Sequence, residues 1–356
     1  MKKFLISLGL GLILSMLVSA FCAGAYLYDL FREPISANTS GKFTVFIPLG
    51  TPFRQVIEQL KEKELIRYPG FFRHLARYLN VASQIRAGEF ELLPHWNTWQ
   101  LFQHLTSGKS IVHKVTIPEG WNYEVISRRF ESRGLGDHAV FMSLFRDPRL
   151  IMSTGVPEAE SLEGFLFPET YFFSKIENER QILEKMISHY RKAFGDGFQQ
   201  RALELGHSEY EILILASIIE KETGTPVDRP MIASVFHNRL KRRMRLYSDP
   251  TVIYGLKEFN GNLTRKDLRT KSPFNTYLSH GLPPTPICSP GRDALHSALY
   301  PAEGSYLYFV ARGDGSSQFS RSLREHNKAV DHYQKNRKIR KMMRKKRLQE
   351  QSSKKL

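Results

Sequence analysis

The spacing of apolar residues divides the chain into regions of different character. Residues 4–28 form a run of twenty-five positions without a charge, directly after Lys2 and Lys3. A membrane-spanning helix needs about 20 apolar residues, whereas the core of a signal peptide is shorter. We therefore expect an uncleaved anchor over residues 4–28, with residues 1–3 in the cytoplasm. A cleaved signal peptide is the alternative, because Ala20 lies in a small-residue segment that can be cut.

An internal repeat follows a polar linker that ends at residue 42. The segment FTVFIPLG (43–50) recurs as HKVTIPEG (113–120). Each copy predicts a strand, a turn at proline and glycine, and then an amphipathic helix. In the first copy Thr51 is the expected N-cap of the helix.

Between the two copies the pattern alternates between helix and strand. It predicts a helix around residues 71–79, a strand over 86–93 and a helix that Asn97 caps. This mixture is typical of a small α+β module, which we place at residues 43–115. A larger domain is expected over residues 116–331.

The most apolar helix of the larger domain ends in two carboxylates. The stretch EILILASIIEKETG covers residues 211–224 and predicts a helix buried on most sides. Glu220 and Glu222 point about 200° apart on such a helix. Glu220 shares its face with the small Ser217, whereas Glu222 shares its face with the bulky Ile219. We therefore expect Glu220 to face a cleft and Glu222 to face packed side chains.

A carboxyl at this position is suited to donating a proton. Burial disfavours the ionised form of the carboxyl, and so does the negative end of the helix. Gly224 is expected to stop this helix. A carboxylic acid that stays protonated near neutral pH is what general-acid cleavage of a glycosidic bond requires. The alternative is that both glutamates are half-buried ion-pair partners of Lys221, Arg229 or Arg239.

Charge and composition limit the classes of function. Hydrophobic residues make up 41% of the chain, which excludes a disordered protein. Of the net charge of +17, residues 335–356 supply +10, so much of the basic character belongs to the tail. The two cysteines, Cys22 and Cys288, and the spacing of the histidines predict neither a disulfide framework nor a metal site.

Two further segments combine loop-forming residues with polar chemistry. Residues 161–171 interrupt a mostly helical region and contain Glu163 and Glu169. Residues 272–291 are too rich in proline and glycine for regular structure. Long ordered loops of this kind often carry function.

Several blocks resemble, in their order, the YceG-like endolytic murein transglycosylases of the MltG family. The likeness covers about residues 1–331, including LEGFLFPETY and the N-terminal anchor. Its strongest blocks are ILASIIEKETG, IASVFHNRL, SDPTVIYGL, SPFNTYLSHGLPPTPICSPG, YLYFVARGDG and FSRSLREHNKAV.

The resemblance implies an α+β chain with an N-terminal transmembrane helix, a LysM-like module and a mixed α/β catalytic domain of lytic-transglycosylase type. The basic tail, residues 332–356, lies outside it. The implied enzyme sits in the inner membrane with its catalytic domain on the outer side. It cleaves the β-1,4 bond between N-acetylmuramic acid and N-acetylglucosamine in nascent glycan strands, leaves 1,6-anhydro ends and uses no cofactor. Its partners would be peptidoglycan strands and the membrane, with peptidoglycan synthases as a further class and no nucleic acid.

The resemblance also assigns roles to individual residues. The first glutamate of the EKET block, Glu220, is the implied catalytic acid, and Glu222 is then a structural or orienting carboxylate. Tyr247 departs from the family pattern, where a smaller or amide side chain is expected. The residues implied to line the sugar cleft are Asn238, Ser248, Asp249, Asn275, Thr276 and Tyr277.

Three other interpretations stay open on the sequence. A hydrolytic muramidase would use Asp249 or Glu163 as a second carboxylate. A non-catalytic wall-binding protein would keep the fold without the reaction. A membrane-anchored scaffold would act through its basic tail, by adhesion to anionic lipid head groups or wall polymers.

Overall fold

The alternating apolar positions of the internal repeat form strands in both copies. The computed structural model describes residues 2–36, 41–66 and 68–353. The chain divides into two compact units, the first made of residues 1–113 and 172–177 and the second of residues 114–171 and 178–356. The short return of residues 172–177 to the first unit is a feature that the sequence did not predict.

The N-terminal apolar run is helical. Helix α1 spans Lys2–Arg32. Within the described part of the chain, no helix combines the length and the apolar character needed to cross a membrane. The anchor over residues 4–28 therefore stays a prediction.

The first unit pairs its two strands around an apolar core. Strand β1 (Phe43–Ile47) pairs antiparallel with β2 (Gly88–Leu92), with Val45 opposite Phe90. Both of these side chains are buried, because alternate residues of each strand point to the same face. The helices of this unit are α2 (Phe53–Glu62), α3 (Pro69–Tyr78) and α4 (Thr98–Ser107).

Of the two N-caps predicted for these helices, one is present and the other is not. Asn97 caps α4 and forms a capping box with Gln100, as predicted. Thr51 does not cap α2: the N-cap position is Pro52, and the Thr51 hydroxyl donates to the carbonyl of Pro48. The proline at this position excludes a side-chain cap, so the threonine closes the preceding turn instead. The LysM-like character of this unit stays a prediction.

The second unit is mostly helical, as the spacing predicted. In chain order the elements after α4 begin with β3 (His113–Thr116), α5 (Tyr123–Glu131), α6 (His138–Leu144), α7 (Pro148–Ser153), β4 (Thr170–Phe173) and α8 (Glu179–Glu204). They continue with α9 (Glu209–Glu222), α10 (Arg229–Lys241), α11 (Asp249–Gly255), α12 (Arg292–Leu299), β5 (Tyr308–Ala311), β6 (Ser317–Ser320), α13 (Leu323–Val330) and α14 (Arg337–Ser353). Strand β3 pairs with β4, and the residues of both strands fall partly in each unit, whereas β5 pairs antiparallel with β6. Helix α8 is bent at Gly195, whose φ of 55° is not helical.

Helix α9 is the centre of the second unit. Its residues 212–219 are all buried, and it packs against α8, α10, α11 and α12. Ser208 caps its start and forms a capping box with Glu211. The buried helix predicted from the sequence is therefore confirmed.

Gly224 acts differently from the expectation. The helix ends at Glu222 with an extended Thr223, so Gly224 is not the helix stop. A Cβ atom at Gly224 would lie 2.6 Å from the carbonyl oxygen of Gly315. Glycine is needed here because two backbone segments approach each other closely.

The basic tail is helical over most of its length. Helix α14 lies beside the turn that joins β5 to β6, where Lys346 is 3.5 Å from Asp314. Other basic side chains of the helix, including Arg337, Lys341 and Arg344, are exposed.

Candidate active site

The C-terminal end of α9 directs its two carboxylates into different surroundings. Glu220 and Glu222 lie two residues apart, so the helix points them in nearly opposite directions. Burial raises the pKa of both carboxyl groups above the ordinary value of 4.5. Their neighbours decide which of them can meet a substrate.

Glu220 lies in a network of charges. Its Oε2 accepts a hydrogen bond of 3.1 Å from the backbone N–H of Gly291, and its Oε1 is 3.5 Å from a guanidinium nitrogen of Arg229. The same guanidinium lies 3.8 Å from Glu119 and 3.3 Å from Asp293. Only 8% of the Glu220 side chain is exposed. These contacts are typical of a structural ion-pair network.

The face that Glu220 shares with Ser217 is covered, contrary to the expectation. The Ser217 hydroxyl accepts a hydrogen bond of 3.1 Å from the backbone N–H of Ile287, and the Cys288 thiol contacts the Ser217 carbonyl at 3.3 Å. Small side chains leave room on this face, but the proline-rich loop fills the space. The spacing on the helix could not reveal this, because the loop comes from seventy residues downstream.

Glu222 lies in the wall of a cavity. The Ser248 hydroxyl donates a hydrogen bond of 2.7 Å to its Oε1. Burial raises the pKa of Glu222 to about 7, the negative charge of Asp249 adds to this, and Ser248 and Arg239 oppose it. Glu222 is the last residue of α9, and its carboxyl, although largely buried, borders the cavity.

The cavity next to Glu222 has a volume of about 770 Å³. Its wall contains Arg239, Tyr247, Asp249 and Tyr277 beside Glu222, together with residues of β5 and α13. Glu220 does not line it. The cavity therefore brings a protonatable carboxyl together with aromatic and charged groups.

Two of the predicted cleft residues line this cavity. Asp249 and Tyr277 form a pair in which the tyrosine hydroxyl donates to the aspartate Oδ1 over 2.5 Å. Burial and the hydrogen bond to Asp249 raise the pKa of Tyr277. A sugar-binding role for both residues stays a prediction.

The other predicted cleft residues use their polar groups within the protein. The Thr276 hydroxyl accepts from the backbone N–H of Ser248, and Asn275 donates to two carbonyls in residues 268–270. The side-chain amide of Asn238 donates to the carbonyls of Gly304 and Tyr306. In these positions they support the wall, and direct contact with a sugar stays a prediction.

Comparisons with known proteins identify the family of the chain. The model of the YceG-like family matches residues 45–332. The chain belongs to the YceG-like family. It is 30% identical over 325 residues to the endolytic murein transglycosylase of Bacillus subtilis, covering 87% of this chain and 90% of that protein.

Two further relatives extend the comparison. The endolytic murein transglycosylase of Streptococcus pneumoniae strain D39 is 27% identical over 361 residues, which covers 92% of this YceG-like chain and 65% of that protein. The crystal structure of a YceG-like protein from Listeria monocytogenes matches with a TM-score of 0.56 and 34% identity, over 81% of this chain and 98% of that one. The predicted family and the mixed α/β fold are thereby confirmed.

A second cavity of the YceG-like chain, of about 840 Å³, is lined by Pro250, Ile253 and Tyr254 of α11. Its wall contains Trp121, Lys221 and Tyr254 together with the buried Glu163. Glu163 accepts from the Tyr254 hydroxyl over 2.8 Å and from the backbone N–H of Tyr123 over 3.1 Å, and burial raises its pKa to about 7. It ties α11 to the start of α5.

The sequence did not single out two arginines that organise this YceG-like site. Arg229 gathers three carboxylates around the end of α9. Arg239 is buried, and its guanidinium donates to the carbonyls of Leu246 and Leu307. Both arginines had appeared only as general candidates for ion pairing. The sequence feature that could have identified Arg239 is its position directly after Asn238, within the block IASVFHNRL that carries the resemblance.

Proposed function

We propose that the protein is an endolytic murein transglycosylase and that Glu222 is its catalytic acid. One observation carries the proposal. A carboxyl whose pKa burial raises to about 7 lines a cavity of about 770 Å³ together with Tyr247, Asp249 and Tyr277. A group of this kind donates a proton at neutral pH and has space beside it for a sugar.

The reaction needs one carboxyl. Protonated Glu222 donates its proton to the glycosidic oxygen as the bond from that oxygen to C1 of N-acetylmuramic acid breaks. Positive charge develops on the muramic ring, and Ser248 and Arg239 stabilise the carboxylate that Glu222 becomes. Glu222 then accepts the proton of the C6 hydroxyl, whose oxygen bonds to C1. The 1,6-anhydro end forms without water, and Glu222 returns to its protonated state.

The geometry favours Glu222 over Glu220, the residue that the sequence indicated. Glu220 has both oxygens engaged, one by Gly291 and one by Arg229. In Glu222, Ser248 engages Oε1, and among the described residues no hydrogen bond is made to Oε2. A free carboxyl oxygen beside a cavity is what proton transfer to a substrate requires. Glu220 is then the residue that fixes the end of the helix.

The test compares the two amide variants on uncrosslinked glycan strands, with the full-length protein in detergent. We expect Glu222→Gln to lower the rate of anhydro-muramic end formation by about 10²–10⁴-fold. Glu220→Gln, the matched control, should keep a measurable rate and show its effect in stability. The reverse order would return the catalytic role to Glu220.

Hydrolysis is the second candidate reaction. Asp249 lies next to Ser248 and lines the same cavity, where a carboxylate would serve as the base for water in a hydrolytic reaction. Mass spectrometry of the products separates the two reactions, since hydrolysis leaves reducing muramic ends. If folded wild-type protein binds strands but forms neither product, the chain is a non-catalytic wall-binding protein.

We also infer that the chain acts outside the cytoplasm while anchored in the membrane. The support is the uncharged run of residues 4–28 after two lysines, together with a substrate that is built at the membrane. Peptidoglycan synthases are the partner class that fits this location. Fractionation of cells, followed by protease treatment of spheroplasts, tests the topology. Recovery of the whole chain in a salt-washed soluble fraction would contradict the anchor.

A further inference from the structure

Tyr247 is exposed in the wall of the cavity that contains Glu222. Its relative exposure is 47%, a high value for a large aromatic side chain. The next residue, Ser248, donates the hydrogen bond to Glu222. The ring therefore lies one residue away from the direct partner of the proposed acid.

The backbone of Tyr247 adopts an unfavourable conformation. Its φ is +49°, in the left-handed region. A Cβ atom makes this region costly, and Gly, Asn and Asp are the residues that usually occupy it. Strained positions of this kind persist where the surrounding structure holds them, and they concentrate at functional sites. A residue that only closed this turn would be better as asparagine or glycine.

The ring is held in place by neighbours whose positions are fixed. The Arg239 guanidinium lies 5.8 Å from its centroid, and the Tyr277 ring meets it edge-on at 5.3 Å. Arg239 is itself fixed by two backbone carbonyls and lies 5.3 Å from the ring of Tyr308. The aromatic surface is thus preorganised, which lowers the entropy cost of binding.

We propose that Tyr247 is an aromatic platform that stacks against one N-acetylated hexose ring of the glycan strand, beside the bond that is cleaved. The C–H groups on the face of a β-linked pyranose are slightly positive, and the face of an aromatic ring is negative, so the two attract each other. This proposal adds a substrate contact to the proposed function, and it rests on that function for the identity of the polymer. It makes Tyr247 a specificity-determining residue of this chain.

The test measures binding and stability in the same variants. Tyr247→Asn and Tyr247→Phe are made in full-length protein that also carries Glu222→Gln, so that strands bind without being cleaved. Calorimetric titration with uncrosslinked glycan strands should show affinity reduced about 3- to 10-fold by asparagine. Phenylalanine, which keeps the ring, should remain within about twofold. The Tm of Tyr247→Asn should be unchanged or higher, because asparagine tolerates the left-handed backbone.

Two results would overturn the platform. One is equal affinity of Tyr247→Asn and its parent. The other is a lower Tm accompanying the loss of affinity, since that pattern indicates a packing role. Tyr300→Asn is the matched control: this tyrosine is 43% exposed, lines neither of the two cavities described and should leave affinity unchanged. The binding ratio does not depend on turnover, so it remains informative even if wild-type protein fails to cleave strands, a failure that would count against the proposed function alone.

Discussion

The hydroxyl of Ser248 donates a hydrogen bond of 2.7 Å to Oε1 of Glu222. The serine is itself fixed, since its backbone N–H donates to Thr276 and it has no exposed surface. Burial raises the pKa of Glu222, and this hydrogen bond opposes the rise because it favours the ionised form. The balance between burial and this hydrogen bond determines the pH range in which Glu222, the proposed acid, is protonated.

Ser248→Ala should shift this range to higher pH. Removing a hydrogen bond to the carboxylate raises the pKa of Glu222, and the reaction needs the protonated form. In wild-type protein kcat should therefore fall as pH rises through about 7. In the variant the fall should move upward by about one pH unit.

The measurement is a profile of kcat against pH with uncrosslinked glycan strands. Ser143→Ala is the matched control, because Ser143 is an exposed residue of α6 whose hydroxyl donates to the carbonyl of Val140 in the same helix. If kcat of Ser248→Ala falls at the same pH as kcat of the wild-type protein, the serine does not control the pKa of the proposed acid.

Arg229→Met should strongly destabilise the protein. Arg229 is 8% exposed and lies among Glu119, Glu220 and Asp293, so its loss leaves the buried Glu220 carboxylate without its positively charged partner. Breaking a buried pair in this way costs about 3–5 kcal/mol. The free energy of unfolding from a urea titration measures the effect.

The control for this change is an exposed arginine of the same unit. Arg128 pairs with Glu124 at 2.9 Å, and more than half of each side chain is exposed. Arg128→Met should cost less than about 1 kcal/mol. Equal losses from the two substitutions would mean that the charges around Arg229 are well solvated.

The sequence predicted the helix of the site but not the direction of its carboxylates. Burial of residues 212–219 follows from a continuous apolar run, which needs no knowledge of the neighbours. The choice between Glu220 and Glu222 depends on what covers each face, and the covering loop lies near residue 287, far along the chain. Local spacing cannot contain that information.

For the same reason, the sequence could not show which of the predicted cleft residues face the cavity. Blocks around residues 248 and 276 do come together, with the Thr276 hydroxyl bound to Ser248. Which side chains of a block face the cavity and which support it depends on single hydrogen bonds. Asp249 and Tyr277 line the cavity, whereas Asn275 is fully buried and does not line it.

Gly224→Ala should disturb the junction between α9 and the β5–β6 turn. The new Cβ atom would lie 2.6 Å from the carbonyl oxygen of Gly315, a backbone atom that cannot move alone. Such overpacking costs about 1–3 kcal/mol. Gly224 and Gly315 both line the cavity, so kcat should fall together with the free energy of unfolding.

Gly197→Ala is the control for this change. It lies in α8 with nothing within 4 Å of the added Cβ atom, so alanine should stabilise the helix by up to about 1 kcal/mol. The comparison uses denaturant titrations of both variants. A neutral Gly224→Ala would indicate that the turn can move away from α9 without cost.

Glu163→Gln should flatten the dependence of stability on pH. Burial raises the pKa of Glu163 in the folded protein from 4.5 to about 7, so the folded state binds this proton more tightly than the unfolded state. The stabilising contribution is complete below pH 4.5 and is lost as pH rises through about 7. Wild-type protein should therefore lose on the order of 3 kcal/mol over this window from Glu163.

Glutamine resembles the protonated acid and cannot lose that proton, so the variant should lack this part of the decline. Denaturant titrations at pH 5 and pH 7.5 measure the difference, with Glu184→Gln, an exposed position of α8, as the control. Because Glu222 titrates in the same window, the informative quantity is the difference between wild type and variant. A decline of equal size in both proteins would mean that the pKa of Glu163 is the same in the folded and unfolded states.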